Sequence, residues 1–333
     1  MQERIMLVLN GGGALGAYQF GVYRTLVNRL DERARRDMVV VGASIGAVNG
    51  YLLAAHHAAP DAGVEALASF WREVAQPALP FVPFFDVRSQ RLSATLTGLT
   101  FGNPPVFSAV PGGFMIGLGG YPATAGYDNR RLVETVARHA EHYTALSDAG
   151  PRLMIRAIDI EAAEPVWFDS QEQPIVPSMI GASSAIPLLF KPGRHEGRAY
   201  WDGDVWHRGL LLPALERLSS PRSGQPWHVI TVELFKQTPG MPQGLGEGLD
   251  HFRRLFLGAR SDDEAREATE RYPELRLTRI RRDPHPGESA SLWLTDWAPD
   301  RLTYLIEQGE ADAQRALDLA LPSRSSHKVN EER

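Results

Sequence analysis

The sequence predicts an α/β protein built on a mainly parallel β-sheet. Two short apolar runs, residues 5–10 and 39–42, have the character of buried strands, and each passes through a glycine-rich turn into a long helical stretch. Continuous apolar runs are typical of strands buried on both faces, and a strand followed by a helix is the repeating unit of a parallel sheet. The chain has 333 residues, 43% of them hydrophobic, so it can bury a large core.

The second strand leads into a pentapeptide of the form Gly-x-Ser-x-Gly, which runs from Gly42 through Ser44 to Gly46. A strand that turns into a helix around a serine is a nucleophile elbow. The glycines leave room for the sharp turn, and the serine hydroxyl projects at the carboxyl edge of the strand. Ser44 is therefore predicted to be a catalytic nucleophile, with Gly42 and Gly46 as the elbow glycines.

The first strand runs into a second glycine motif at residues 11–16. Taken alone, it fits the Gly-x-Gly-x-x-Gly pattern of dinucleotide-binding proteins, with Asp31 about twenty residues further on. That alternative is disfavoured because a nicotinamide-binding unit has no use for a strained serine in its second strand. Placed beside Ser44, the backbone N–H groups of Gly11, Gly12 and Gly13 are instead predicted to form an oxyanion hole.

These motifs, together with two more downstream, resemble those of the patatin-like phospholipases. The downstream elements are a small-residue stretch with an Ile-Pro exit at residues 182–190 and the pair Asp202-Gly203, in the family's order. The resemblance covers roughly the first two thirds of the chain. It implies a three-layer α/β/α fold and a lipid acyl hydrolase of the phospholipase A type. It also implies a Ser-Asp dyad without a cofactor, in which Asp202 is the general base for Ser44.

Two positions depart from the family pattern. Leu15 stands where many members carry Arg or Lys, and Asp204 stands where most have Gly or Ala. A second carboxylate beside Asp202 is expected to raise the pKa of one of the two. We expect Asp204→Gly to be tolerated or to improve turnover. Two alternatives stay open: a catalytically impaired lipid-binding module, and an intracellular polyester (polyhydroxyalkanoate) hydrolase.

A Ser-His-Asp triad is the alternative mechanism. Of the ten histidines in the sequence, four follow Ser44 in the order that α/β-hydrolases use, but none of the four has a distinctive local sequence: His207, His228, His251 and His285. We predict that each packs or is solvated, because a triad histidine needs a particular spatial placement. The sequence has no cysteine, no His-Glu-x-x-His motif and no compact His/Asp cluster, so neither a metal site nor a cofactor is predicted.

Charge and composition restrict the partners. A net charge of −5 and a pI near 6.1 argue against nucleic acid, because its binding relies on an excess of Lys and Arg. The expected partner is a lipid or another acyl ester. The absence of cysteine fits a reducing compartment, and the first strand follows Met1 without space for a signal peptide. We expect a cytoplasmic protein with peripheral contact at the inner face of the membrane; the sequence leaves the oligomeric state open.

The predicted domain organisation has three parts. Residues 1–235 form the hydrolase domain, with an apolar, lid-like insertion at about 77–127 in which residues 93–127 carry no charge. Residues 236–321 form a mostly helical C-terminal extension. It is expected to begin with a Gly/Pro-rich linker at 236–249 and to continue with helices at 252–257 and 262–272, a strand at 275–280 and a helix at 300–319. Residues 322–333 are predicted to be a disordered tail.

Overall fold

The two apolar runs near the start of the chain form neighbouring parallel strands in the computed structural model. The structure describes residues 4–76, 97–98, 100–110, 125–144, 150–218, 226–243, 245–284 and 296–320. Its strands are β1 Arg4–Leu9, β2 Val39–Gly42, β3 Gly102–Asn103, β4 Phe107–Ala109, β5 Tyr127–Asp128, β6 Arg152–Asp159, β7 Glu164–Asp169, β8 Gly193–His195, β9 Arg198–Asp202, β10 Trp227–Glu233 and β11 Arg276–Arg281. Its helices are α1 Gly16–Val27, α2 Glu32–Asp37, α3 Ile45–Ala55, α4 Pro60–Glu73, α5 Arg130–His139, α6 Pro177–Ser183, α7 Leu211–Leu218, α8 Leu245–Arg271 and α9 Pro299–Ala320.

Parallel pairings build the centre of the main sheet. The strand order β11-β10-β1-β2-β6 is parallel throughout, and β7 pairs antiparallel with β6. Strand β9 also runs antiparallel to β6, and it pairs in turn with β8. The sheet is therefore mainly parallel, as the sequence predicts.

Strands β2 and β9 lie along the same edge of β6. Gly42 of β2 pairs with Ile155, and Asp202 of β9 pairs with Ala157. Strand β7 pairs with the same two β6 residues from the other side. Since β7 fills one edge, β2 and β9 share the opposite edge and run toward each other along it. The carboxyl ends of these two strands therefore meet.

Helices cover both faces of the sheet. Leu7 of β1 lies in a core formed with α1, α3, α4 and α9, whereas its neighbour Val8 lies in a core formed with α7 and α8. This alternation follows from the pleat of a strand, whose successive side chains point to opposite faces. The result is the three-layer α/β/α fold that the sequence predicts.

The described part of residues 236–321 belongs to the same sheet and the same cores. Strand β11 extends the sheet, α8 packs on one face and α9 on the other. The backbones of α1 and α9 touch: a Cβ on Gly21 would lie 2.0 Å from the Ile306 oxygen, and one on Gly309 would lie 2.1 Å from the Tyr18 oxygen. Helix α8 is continuous, so the predicted linker ends before residue 245 and the two predicted short helices are one.

The apolar insertion at 77–127 is described only in part. Strands β3, β4 and β5 form a small antiparallel sheet within it, and residues 77–96 and 111–124 lie outside the described residues. The predicted tail at 322–333 lies outside them as well. Among the described residues, no helix is long and apolar enough to cross a membrane.

Candidate active site

Ser44 occupies the sharp turn between β2 and α3. Its backbone lies in a left-handed region, at φ 56° and ψ −130°, which a non-glycine residue adopts only under strain. The flanking glycines are required by close packing. A Cβ on Gly42 would lie 2.6 Å from the Gly46 oxygen, and one on Gly46 would lie 2.0 Å from the Leu9 oxygen. The local geometry is a strained strand-to-helix turn, as a nucleophile elbow requires, and the close packing at the two glycines holds it in place.

Helix α6 holds the turn from a second side. The Ser44 N–H donates to both the carbonyl oxygen and the Oγ of Ser183, at 3.1 Å in each case. The Ser183 hydroxyl in turn donates to the Arg156 carbonyl at 2.7 Å. The small-residue stretch that the sequence singled out therefore supports the serine directly.

Asp202 lies at the carboxyl end of β9, where β9 meets β2. Its side chain is buried, the Ser44 side chain acts to lower its pKa, and its Oδ1 accepts the Asp204 N–H at 2.7 Å. Burial raises the pKa of Asp202 to about 7, and the nearby Asp204 charge acts in the same direction. The Ser44 side chain, the Asp204 N–H and the Arg156 charge oppose the rise. A base with a pKa near neutrality is well matched to proton transfer at physiological pH.

The three candidate histidines that the structure describes lie elsewhere. His228 lies near the amino end of β10, whereas Ser44 follows the carboxyl end of β2, so the two residues are at opposite ends of the parallel strands. The His228 Nε2 bonds to the Thr278 hydroxyl at 2.8 Å. His207 is exposed beside Trp206, and His251 is half-buried on α8. The fourth histidine, His285, lies outside the described residues. Among the described residues, no group of three or more His, Asp or Glu side chains is arranged to bind a metal ion.

The glycine loop joins β1 to a short 3₁₀ turn at Gly13–Leu15 and lies beside Ser44. The structure corrects one part of the predicted oxyanion hole: the Gly11 N–H already donates to Asp204 Oδ2 at 2.9 Å. Within the turn, Leu15 N donates to the Gly12 oxygen at 3.1 Å. The preceding N–H groups, including that of Gly13, come before the first bond of the turn, so they have no partner within it.

The two departures from the family pattern have different roles. Leu15 is buried in the core with α1 and α3, so it is a packing residue. The Asp204 carboxylate is also buried, but it forms specific bonds. Besides Gly11, it accepts Arg260 Nη2 at 2.7 Å through Oδ1. Arg260 Nη1 also donates to the carbonyl oxygens of Asp204 and Trp206, at 2.7 and 2.8 Å.

Sequence reasoning did not find Arg260 or the other buried charges around this turn. Arg156 of β6 donates from Nε to the Gly203 oxygen at 2.8 Å, and burial lowers the pKa of its guanidinium to about 10. Glu264 follows Arg260 by one helical turn on α8, and burial raises the pKa of its carboxyl to about 7. The spacing of these residues could have indicated their burial. Arg260, Glu264 and the fully buried Ala268 are four residues apart, so they share one face of the helix.

An apolar pocket opens beside Ser44. Its aromatic wall consists of Phe107, Tyr127 and Phe190. The centroid of the Phe107 ring lies 5.0 Å from the centroid of the Tyr127 ring and 5.6 Å from that of the Phe190 ring. The other described lining residues are Gly13, Ile45, Val48, Val106, Asn129, Leu132, Ser184, Ile186, Leu189 and Trp297. The pocket is suited to a hydrocarbon chain whose polar end lies at the serine.

Comparisons with known proteins found a matching family model and several similar solved structures. The family model described as "Patatin-like phospholipase" matches residues 7–206, well over half of the chain. Similar solved structures are VipD from Legionella pneumophila (14% identity, TM-score 0.39, covering 96% of this chain and 67% of that one) and the type III effector protein ExoU (14%, 0.35, 96% and 54%). A third is the ExoU–SpcU complex from Pseudomonas aeruginosa (13%, 0.37, 97% and 52%). The chain thus spans about half to two thirds of the length of these proteins. No curated protein sequence matches it.

Proposed function

The chain belongs to the patatin-like phospholipase family, and we propose that it is a serine acyl hydrolase in which Ser44 and Asp202 form the catalytic dyad. The observation that carries this proposal is that the strands ending at Ser44 and Asp202 meet along β6, where the Ser44 side chain interacts with the buried Asp202 carboxyl. A serine on a strained elbow with its base within hydrogen-bond reach is the signature of an activated nucleophile. The apolar pocket beside the serine supports a lipid ester as the substrate.

The proposed reaction has two steps. Ser44 Oγ attacks the ester carbonyl carbon while Asp202 takes the hydroxyl proton, and the tetrahedral intermediate then collapses to an acyl-serine. The leaving alcohol receives that proton from Asp202. A water molecule next attacks the acyl-serine while Asp202 takes a proton from it; the acyl–Oγ bond then breaks, Asp202 returns the proton to Ser44 Oγ, and the carboxylic acid is released. Because the same carboxyl is base and then acid in each step, its pKa should lie near the working pH, as it does.

We assign the oxyanion hole to the N–H groups of Gly12 and Gly13. Gly13 lines the pocket beside Ser44, and its N–H precedes the first bond of the 3₁₀ turn. The N-terminus of α3, which starts at Ile45, adds a favourable field for a developing negative charge. Gly11, whose N–H is bound by Asp204, is left out of this set.

The substrate class follows from the pocket walls. An acyl chain would lie against the aromatic wall, with its carbonyl at Ser44 and its alcohol moiety toward the open side. Leu188, which is 72% exposed, lies in the chain between the lining residues Ile186 and Leu189 and gives the pocket an apolar rim. Such a rim suits a membrane or lipid-droplet surface better than a dissolved ester.

A fluorophosphonate probe tests the activity directly. The wild type is expected to incorporate one probe per chain and to hydrolyse short-chain aryl esters, and Ser44→Ala is expected to do neither. A panel of phosphatidylcholine vesicles, a triacylglycerol emulsion and polyhydroxyalkanoate granules then separates the lipid substrates from the polyester. Faster turnover of the granules would contradict the lipid assignment, and unlabelled wild-type protein would contradict the hydrolase itself.

A further inference from the structure

Asp204, the residue that departs most from the family pattern, has bonds to three separate parts of the protein. Its Oδ2 accepts the Gly11 N–H of the glycine loop at 2.9 Å, and its own N–H donates to Asp202 Oδ1 at 2.7 Å. Its Oδ1 accepts Nη2 of Arg260, on α8, at 2.7 Å. One side chain and its backbone thus join the glycine loop, the turn that carries Asp202 and the C-terminal helix.

The arrangement is tight and shielded from water. Asp204 and Arg260 are each 8% exposed. A Cβ on Gly11 would lie 2.9 Å from the Ser44 Cβ and 3.0 Å from both Cβ and Oδ2 of Asp204, so the loop backbone is packed between these two residues. A buried carboxylate is stable only when charged or polar donors satisfy it, and here Arg260 and the Gly11 N–H do so.

We propose that Asp204 and Arg260 are positioning residues of the hydrolytic centre: their ion pair fixes the glycine loop, and with it the oxyanion donors, against the Asp202 turn. The inference rests on the proposed acyl-hydrolase function. Leu15 brings no charge to the loop, and the cation that anchors it comes instead from α8, through Asp204. Residues beyond the family-matched region, which ends at residue 206, therefore support the site.

The test uses two near-isosteric changes that each remove one charge, Asp204→Asn and Arg260→Gln. Both are expected to lower kcat on a soluble aryl ester roughly 10- to 100-fold with little change in KM, because small displacements of positioned groups slow the chemical step. The fluorophosphonate labelling rate is expected to fall in parallel, while the final labelling remains one probe per chain.

The pH profile of kcat/KM separates positioning from general loosening. The charged groups around Asp202 are Arg156 on β6 and Asp204 in its own turn; Arg260 pairs with Asp204, and Glu264 on α8 interacts with Arg156 and Arg260. Asp204→Asn removes a negative charge, so the midpoint of the profile is expected to move down. Arg260→Gln leaves the Asp204 charge uncompensated, so the midpoint is expected to move up. Loss of packing alone would not give opposite shifts.

Three further variants complete the experiment. Arg266→Gln breaks an exposed 2.8 Å pair with Asp263 on the same helix and is expected to behave as the wild type. The double variant Asp204→Asn/Arg260→Gln is expected to be no slower than the slower single variant, because both changes remove the same ion pair.

Arg260→Lys keeps the positive charge but cannot bond through two terminal nitrogens as the guanidinium does. It is expected to keep the pH midpoint with an intermediate kcat, and it serves as the test if Arg260→Gln does not fold.

The outcomes are distinct. Wild-type kcat in both single variants, midpoints that move together or not at all, or additive losses in the double variant would each overturn the inference. If Ser44→Ala is inactive while the Asp204 and Arg260 variants match the wild type, only this inference fails. If Ser44→Ala retains full activity, the proposed hydrolase itself fails.

Discussion

Ser44 and Asp202 meet because the strands that carry them run toward each other along one edge of β6. Gly42 pairs with Ile155 and Asp202 with Ala157, so the ends of β2 and β9 face each other across a gap of one β6 residue. A parallel sheet normally brings together only strand ends that point the same way. Here the antiparallel direction of β9 allows a carboxylate from late in the chain to approach the elbow serine from the opposite side.

The nucleophile assignment predicts a specific loss of activity. Ser44→Ala removes only a hydroxyl, and the strained backbone is held by neighbours that the change leaves in place, so the protein is expected to fold with a nearly unchanged melting temperature. Ester hydrolysis is expected to fall to background. The checks are thermal denaturation and an aryl ester assay on the same preparation; full esterase activity in the purified variant would end the assignment.

The base assignment predicts both a rate and a pH dependence. Asp202→Asn is expected to lower the acylation rate about 10²- to 10⁴-fold, the scale for losing a general base. In the wild type, kcat/KM is expected to rise with pH and level off above about 7, because Asp202 must be ionised to accept the proton. The matched controls are His207→Ala and His251→Ala, which are expected to keep most activity. A folded but inactive histidine variant would show that the base is a histidine.

The raised pKa of Asp202 also has a cost in stability. The pKa of Asp202 in the folded protein, about 7, lies above the ordinary aspartate pKa of 3.8, so the folded state binds this proton more tightly than the unfolded chain does. The stabilisation is complete at low pH and is lost as pH rises between these values, by up to about 1.4 kcal/mol per pH unit. Asp202→Asn is therefore expected to gain stability relative to the wild type between pH 5 and pH 8. Urea unfolding at pH 5 and at pH 8 measures the free energy of unfolding of both proteins. An equal difference between variant and wild type at the two pH values would contradict the prediction.

The elbow glycines are expected to matter for folding as well as for activity. Gly46→Ala would place a Cβ 2.0 Å from the Leu9 carbonyl oxygen, so strand β1 or helix α3 must shift. Gly63→Ala on helix α4 is the control, since its nearest contacts lie at 3.4 Å and beyond. The control is expected to gain roughly 0.5 to 1 kcal/mol from helix propensity. The comparison is made by thermal denaturation, and equal melting temperatures for the two variants would show that the turn tolerates a side chain.

Local sequence was sufficient to predict the elbow, the glycine loop and most strands, because each depends on residues that are neighbours in the chain. The network around Asp204 could not be predicted in the same way. Arg260 lies in a run of charged residues at 260–266 that resembles a solvated helix face. Its burial depends on where α8 packs, which is a long-range property. The expectation that Asp204→Gly would be tolerated rested on two like charges side by side, and it did not include the Arg260 guanidinium. The proposed positioning role of Asp204 predicts the opposite result.

The last prediction concerns the surface at which the substrate is met. The predicted lid residues at 111–124 lie outside the described residues, but Leu188 does not. It is 72% exposed, its φ of 66° is unusual for a leucine, and its neighbours line the pocket. Burying one leucine side chain in lipid contributes about 1.5 to 3 kcal/mol, so Leu188→Asp is expected to weaken vesicle binding at least tenfold.

Hydrolysis of a soluble short-chain ester should be nearly unchanged in Leu188→Asp, because Leu188 is exposed and is not among the residues that line the pocket. The matched control is Leu319→Asp, a change to a 90% exposed leucine near the end of α9. Vesicle co-sedimentation and hydrolysis of vesicle and soluble esters are measured for all three proteins. A selective loss of vesicle binding and of vesicle hydrolysis in Leu188→Asp would support contact between the pocket rim and the lipid surface. Equal binding by the two variants would place the lipid contact elsewhere on the protein.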